Sequence, residues 1–330
     1  MSDECLAILV PLRDAAAPPE HSALGRAALR LRARRVPVLF GDTAQDGILH
    51  GWRPVLGGWE RARGRPRAVY DRFPSQGRAA AWASLQAGLG GAVAGNPSSI
   101  IGLCRDKLTF QEWCVAACPG VAMPAVEAAP AAFGARLAAW GAAFAKPRFG
   151  SRGVGVRRIV AGEAPPGPWS EGLVGPEPTL LQQAVPPPPG WAGACVRVDV
   201  QRDATGTLVV LPPALRRSVT DAVVNTARGA AVEAAAFVLP PRALLALESA
   251  ARAVTAALVA RPDGATVVEV GLDFACAADG TPWLLEANAR PQSLLRGLSA
   301  VDPGRFAAAR EAAAERPLRA LWAWAGGDLA

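Results

Sequence analysis

Apolar and polar positions alternate along this chain in a way that separates strands from helices. A continuous apolar run at 5–11 (CLAILVP) reads as a buried parallel strand, 20–35 as a helix with arginines on its outer face, and VPVLF at 36–40 as the next strand. Strand, helix and strand in that order start an α/β layer. RAVYDRFPS at 67–75 is another strand, ending in a polar turn. Residues 76–90 then make a helix, and AVAGNPSSI is a strand-to-loop transition that places a first boundary near 100.

Beyond that boundary, 104–118 suits a short amphipathic helix with Asp106 and Lys107 in its first turn, ended by Pro119-Gly120. A second helix covers 128–141, and strands at 142–147 and 154–160 flank a glycine-rich loop. TLLQQAV at 179–185 is a strand that Pro186–Pro189 breaks. CVRVDVQRDATGTLVVLPPALRRS reads as antiparallel strands around an Asp-Ala-Thr-Gly turn. A helix at 241–259, a hairpin and a C-terminal helix at 304–325 complete the pattern, with no internal repeat.

The hairpin carries the strongest chemistry. In VVEVGLDFACAADGTPWLLEANARPQ, two apolar segments flank the turn Ala278-Asp279-Gly280. Asp-Gly between such segments is a strong hairpin signal. Folding there brings Asp273 opposite the 284–288 region, so the oxygens of Asp273, Glu286 and Asn288 converge. Hard oxygen ligands suit Mg²⁺, which fills its shell with water and substrate phosphate. The plainer alternative is a hairpin with a solvated acid at each end.

Composition changes the picture through lysine. Of 35 basic residues only Lys107 and Lys146 are lysine, in a chain where arginine otherwise serves. A compact point charge survives where a planar fork will not do. Lys146 opens KPRFGSRGVGV, whose Gly150, Ser151, Gly153 and Gly155 let backbone N–H groups approach phosphate oxygens and let the loop close as a lid. The lysine precedes the glycines and no Gly-Lys-Ser/Thr follows, so this is not a Walker A loop.

At 330 residues and 51% hydrophobic content the chain can bury a large core in two or three subdomains. The net charge of +7 comes from scattered arginines without aromatic interleaving, which argues against a nucleic-acid partner. Six cysteines lack any CxxC pair, and with only His21 and His50 beside them a structural zinc site is not expected. Free thiols in a reducing compartment are the plain reading. Neither a signal peptide nor a membrane span is expected, so the expectation is a soluble, cytoplasmic protein. No heptad or exposed apolar face specifies an oligomeric state.

These segments together resemble the ATP-grasp superfamily, and within it the YheC/YheD-like proteins, described as endospore-coat-associated and related to RimK-type and D-alanine–D-alanine ligases. The resemblance rests on YDRFPS (70–75), DK (106–107), KPRFGSRGVGV (146–156), LLQQAV (180–185), VRVDVQ (196–201), VVNTARGA (223–230) and GLDF…GTPWLLEANARPQ (271–292), in that order. It implies an α/β (α+β) ATP-grasp fold: an N-terminal α/β pre-grasp domain (1–100), a lid subdomain (101–178) and a C-terminal metal and phosphate subdomain (179–330). ATP would lie between the last two. Lys107 and Lys146 would neutralise its phosphates and edge the purine, and Gln182 and Gln183 would line the adenine pocket. Asp273, Glu286 and Asn288 would hold two Mg²⁺. Arg197 matches the arginine on the strand after the hinge, and Asn225 with Arg228 matches an Asn-x-x-Arg-Gly element facing the triphosphate or an acyl phosphate.

The activity so implied is ATP-dependent ligation of a small-molecule or peptide carboxylate to an amine. A carboxylate attacks the γ-phosphorus, metal and arginine donors meet the spread charge, and an amine displaces phosphate. A scaffold that binds ATP without ligation, or a small-molecule kinase, are the alternatives. There are departures from the relatives. Cys195 stands where RimK-type ligases place an aspartate, Pro186–Pro189 replace an acid that holds ribose, and Gly271 replaces an arginine of D-alanine–D-alanine ligases. Arg216 is preferred over Arg217 as the arginine facing the site. Tyr70, Asp71 and Arg72 could face the acceptor or simply end a strand, Arg290 could bind a substrate carboxylate, and Glu269 is read as a structural partner for an arginine.

Overall fold

The computed structural model describes residues 4–10, 19, 22–72, 79–89, 91–150, 153–162, 178–225 and 230–329, with side chains at 79–82 and 130 excepted. The first sheet starts with β1 (Glu4–Leu9), followed by α1 (Ala23–Ala33), β2 (Val38–Gln45), β3 (Ile48–Val55), β4 (Gly58–Asp71), α2 (Ala79–Gly88) and β5 (Val93–Gly95). β1 lies parallel to β2 and to β4, and β5 adds in parallel to β4. The early strands and helix therefore match the α/β pattern read from the sequence. The stretch 41–66, to which the sequence reading assigned nothing, continues β2 into an antiparallel meander with β3 and β4. Its two turns carry Gly47 and Gly57 at φ +77° and +85°, a backbone that glycine adopts without strain.

A second group follows: α3 (Ser98–Arg105), α4 (Lys107–Ala117), β6 (Val126–Glu127), α5 (Phe133–Trp140), β7 (Ala142–Pro147), β8 (Arg157–Val160) and β9 (Thr179–Gln183). Its four-stranded sheet runs β6-β9-β7-β8. One expectation is corrected here. The helix read at 104–118 is two helices, because Asp106 leaves helical geometry (φ −86°, ψ 98°) and caps α4 through its carboxylate, accepting from the N–H groups of Leu108 and Thr109. The helix read at 128–141 begins at 133, after a single 3₁₀ turn over 130–132.

The third group is β10 (Gly193–Arg202), β11 (Leu208–Val210), β12 (Ala214–Ser218), β13 (Val232–Ala234), α6 (Pro241–Val259), β14 (Glu269–Cys276), β15 (Pro282–Asn288), α7 (Leu295–Val301) and α8 (Pro303–Trp324). Its sheet is antiparallel in the order β13-β12-β10-β14-β15, with β11 paired to β10. Alternation divides β10 and β14 cleanly. Val196, Val198, Val200, Val270, Leu272 and Phe274 are fully buried against α6. The intervening Arg197, Asp199, Gln201, Glu269 and Asp273 share the opposite face, because side chains alternate with period 2. α8 returns across the first sheet, with Leu318, Leu321 and Trp322 in one core with Leu6, Ile8 and Phe40. Among the described residues no helix is long and apolar enough to cross a membrane.

Candidate active site

The β14–β15 hairpin folds about the turn read from the sequence, with Gly280 at φ +86° and its N–H donating to Ala277 O at 2.9 Å. Asp273 pairs with Glu286 and Gly271 with Asn288. Paired and alternate positions share a face, so all three oxygen-bearing side chains project together. A bulge makes this possible. Between Asp273 and Phe274 the register shifts by one on β15, leaving Leu285 as the extra residue. Leu284 is thereby fully buried in the core while Glu286, two positions on, turns to the cleft. A bulge re-aims side chains in this way.

Asp273 is the centre of a charge cluster. Arg197, its register partner on β10, donates Nε to Oδ1 at 2.9 Å and Nη2 to Oδ2 at 2.5 Å. Arg216 donates Nη2 to Oδ1 at 2.6 Å and to Cys195 Sγ at 3.1 Å. Asn288 adds Nδ2 to Oδ2 at 3.3 Å. Burial pushes the Asp273 carboxyl up, but Arg197 and Arg216 win and hold it below the ordinary carboxylate range. Burial carries the Cys195 thiol up to about 12, against the pull of Arg216. Gly271 is forced by neighbours: a Cβ there would stand 2.6 Å from Pro291 Cβ and 2.8 Å from Asp199 Oδ1.

Both lysines reach the same cleft from the second sheet and α4. Lys146, buried on β7, donates Nζ to Gln182 Oε1 on β9 at 2.7 Å. Lysine is only a donor, so this contact orients the amide, and Gln182 Nε2 is buried without a hydrogen-bond partner among the described residues. Burial lowers Lys146 to about 8, Glu286 opposes that shift and Lys107 adds to it. Lys107 donates Nζ to the carbonyl of Gly150 and lies 3.9 Å from Glu286 Oε2. Its helix is tied to the glycine loop by Arg148, whose Nε and Nη2 reach Asp106 at 2.7 and 2.6 Å. Burial raises Asp106, yet Arg148 and the capping N–H groups bring it to about 2.

One cleft of about 1130 Å³ is lined by Lys107, Lys146, Gly150, Gly153, Gln182, Gln183, Arg197, Arg216, Asn225, Asp273, Glu286 and Asn288. Gly155, at φ +68°, does not line it, although Val154 and Val156 beside it do. Ser151 and Arg228 lie outside the described residues, as does His21. Arg217 pairs instead with Glu233 at the surface, so Arg216 is the inward member of the two. The oxygen set of Asp273, Glu286 and Asn288 fits Mg²⁺ in chemistry, with the guanidinium groups now on Asp273 as its competitors.

Two residues escaped the sequence reading. Asp199 follows Arg197 by two on the same face, so alternation could have found it. It is buried, its Oδ1 accepts no hydrogen bond among the described residues and lies 4.0 Å from Arg197 Nη1, and burial, with help from Glu269 and against Arg197, lifts it to about 6. Asn96 has a positive φ of 56° and no local signal beyond the Asn-Pro that follows β5. It donates Nδ2 to Glu269 O at 2.7 Å and to Ala289 O, and accepts from Val268 N at 2.8 Å. Glu269 is indeed an arginine's partner: Arg72 Nη1 donates to it at 2.7 Å.

Two α+β groups closing on a cleft, with a glycine loop on one side and a carboxylate hairpin on the other, define the ATP-grasp fold. Solved structures agree. D-cycloserine synthetase DcsG superposes at TM-score 0.61 and 17% identity over 97% of this chain and 99% of its own. The VanG D-Ala:D-Ser ligase from Enterococcus faecalis gives 0.59 at 11% over 98% and 100%. The ATP-grasp ligase PsnB, solved with precursor peptide PsnA2 and AMPPNP, gives 0.56 at 17% over 95% and 98%. Residues 169–299 match the model of the YheC/D-like ATP-grasp family, and over nearly its whole length the chain shares the fold of these solved structures. A search of curated proteins finds no match.

Proposed function

We propose that this protein is an ATP-dependent ligase that joins a carboxylate to an amine through an acyl phosphate, with Mg²⁺. The observation that carries the reading is the convergence of Lys107, Lys146, Asp273, Glu286 and Asn288 on one cleft. Asp273, Glu286 and Asn288 would hold the metal, which when bound neutralises the β- and γ-phosphates. Lys146 and Gln182 present donors from the second sheet to the purine and phosphates, and Lys107 reaches the phosphates from the start of α4. Gly150 and Gly153 allow close backbone approach under the lid.

Arg197 and Arg216 stand where charge would develop on the transferred phosphoryl group. In the proposed sequence a carboxylate oxygen attacks the γ-phosphorus and the bond to ADP breaks. An amine then attacks the acyl carbon, phosphate leaves, and the amine gives up a proton. No chain histidine is needed. The division into 1–100, 101–178 and 179–330 belongs to the same proposal, with Gln182 and Gln183 at the hinge although β9 is hydrogen-bonded into the lid sheet. The six free cysteines are all buried, which fits a reducing, cytoplasmic setting.

The test is phosphate release by purified protein with Mg²⁺-ATP across pools of acids and amines, followed by mass detection of an amide. Release that depends on both pools supports ligation. Release that needs the acid alone indicates a kinase, and nucleotide binding without release indicates a scaffold.

A further inference from the structure

Away from the arginines on Asp273, the cleft has a second cationic wall. Arg72, just past the end of β4, and Arg290, two residues past Asn288, both line it. Each is held from behind by a buried carboxylate. Arg72 Nη1 donates to Glu269 Oε1 at 2.7 Å, and Arg290 Nη2 donates to Asp71 Oδ2 at 2.7 Å. Glu269 is steadied in turn by the Tyr70 hydroxyl at 2.7 Å and Gln201 Nε2 at 3.2 Å. Arg72 also donates Nη2 to the carbonyl of Pro291, so the two guanidinium groups stand as neighbours. Two long side chains are thus ordered before any ligand arrives, which removes part of the entropy loss of binding.

We infer that Arg72 and Arg290 form a shelf that anchors a non-reacting carboxylate of a co-substrate. The inference rests on the ligase reading and gives it a substrate class. Two neighbouring guanidinium groups on one wall of the cleft favour an anion there. A carboxylate gripped by two guanidinium groups is a poor nucleophile, because the same bonds stabilise the charge that attack would disperse. The anchored group is therefore not the one phosphorylated. Asn288 and Arg290 are two residues apart, about 7 Å of extended chain at most, so anchor and reacting group lie a few bonds apart on the ligand. An α-amino acid, with its amine one carbon from the carboxylate, meets this requirement, and so does a short dicarboxylic acid.

The experiment is calorimetric titration of the full chain, loaded with Mg²⁺ and a non-hydrolysable ATP analogue. The probes are the proteinogenic amino acids against their amides, and succinate, glutarate and adipate against their monomethyl esters. The wild type is expected to bind the free acid of one arm at least about tenfold more tightly than its blocked partner, as loss of a charged hydrogen bond implies. The arm that shows the preference identifies amino acid or diacid. Arg290→Leu should erase that preference while leaving nucleotide affinity unchanged, which also shows that the variant is folded, and Arg290→Lys should restore part of it. A preference that survives Arg290→Leu, or none in either arm, overturns the shelf. Arg290-dependent binding of a free acid without phosphate release in the pooled assay would instead leave the shelf standing and remove the ligase.

Discussion

Arg197 and Asp273 face each other at paired positions of β10 and β14, joined by two hydrogen bonds of 2.9 and 2.5 Å. Arg216 reaches the same carboxylate, and Arg197 has a second, longer ion pair with Asp199 at 4.0 Å. Asp273→Asn takes from Arg216 and Arg197 the acid that both hydrogen-bond, leaving Arg197 only the longer pair with Asp199, and is expected to cost about 3–5 kcal/mol of stability along with turnover. Glu286 is different, with its side chain 30% exposed and its ion partner Lys107 3.9 Å away. Glu286→Gln should change stability by less than about 1 kcal/mol and still abolish phosphate release. Urea unfolding beside the phosphate assay separates the two; equal destabilisation by both variants would contradict this account.

Lys146 provides a pH prediction. Burial carries its folded value down from 10.5 to about 8. The cost of the buried ammonium is thus fully present below about 8 and is relieved as pH climbs from there towards 10.5. Stability should rise over that window. Nucleotide phosphate needs the charged form, so affinity of the free protein for an ATP analogue should fall above about pH 8. In Lys146→Met both dependences should vanish.

Lys146→Arg keeps the charge but not the shape. The ammonium meets Gln182 Oε1 at 2.7 Å inside a packed sheet face, and a planar fork cannot repeat that contact without displacing the amide. Turnover is expected to fall by about tenfold or more, and wild-type turnover would refute the reasoning from lysine scarcity.

Asn96 holds both strands of the metal hairpin at their base from a φ of 56°. Asn96→Ala loses those buried bonds and keeps the left-handed strain, for an expected loss of about 3 kcal/mol. Asn96→Gly removes the strain and should recover about 1 kcal/mol of it. Chemical denaturation of the two variants measures the order.

Asp199 should weaken the fold at neutral pH. Burial raises it from 3.8 to about 6, so its stabilising proton is bound below about 4 and lost as pH rises through about 6. Asp199→Asn is expected to raise stability at pH 8 by about 2–3 kcal/mol and to have little effect at pH 4. A melting series across that range decides it.

Much of this was legible in the sequence. Alternation and the Asp-Gly turn located the hairpin, and its pairing of Asp273 with Glu286 follows from period 2 and turn position. Helix α6 was read to the residue, since a proline start and an unbroken apolar stripe mark it. The β2–β3–β4 meander was not, because its outward arginines and glycines hide the strand pattern, and its partners are set by pairing rather than by local preference. The break at Asp106 was missed because the apolar stripe of α3 and α4 runs on across it. Cross-sheet links such as Arg72 to Glu269 join residues 197 positions apart, and no local pattern encodes them.

The last long helix has a kinetic consequence. α8 supplies Leu318, Leu321 and Trp322 to the core beneath β1, while Arg26 and Arg30 of α1 grip its Glu311 and Glu315. During translation the first strands emerge roughly three hundred residues before the helix that covers them, so their apolar face must wait, uncovered or chaperoned, until α8 has been made.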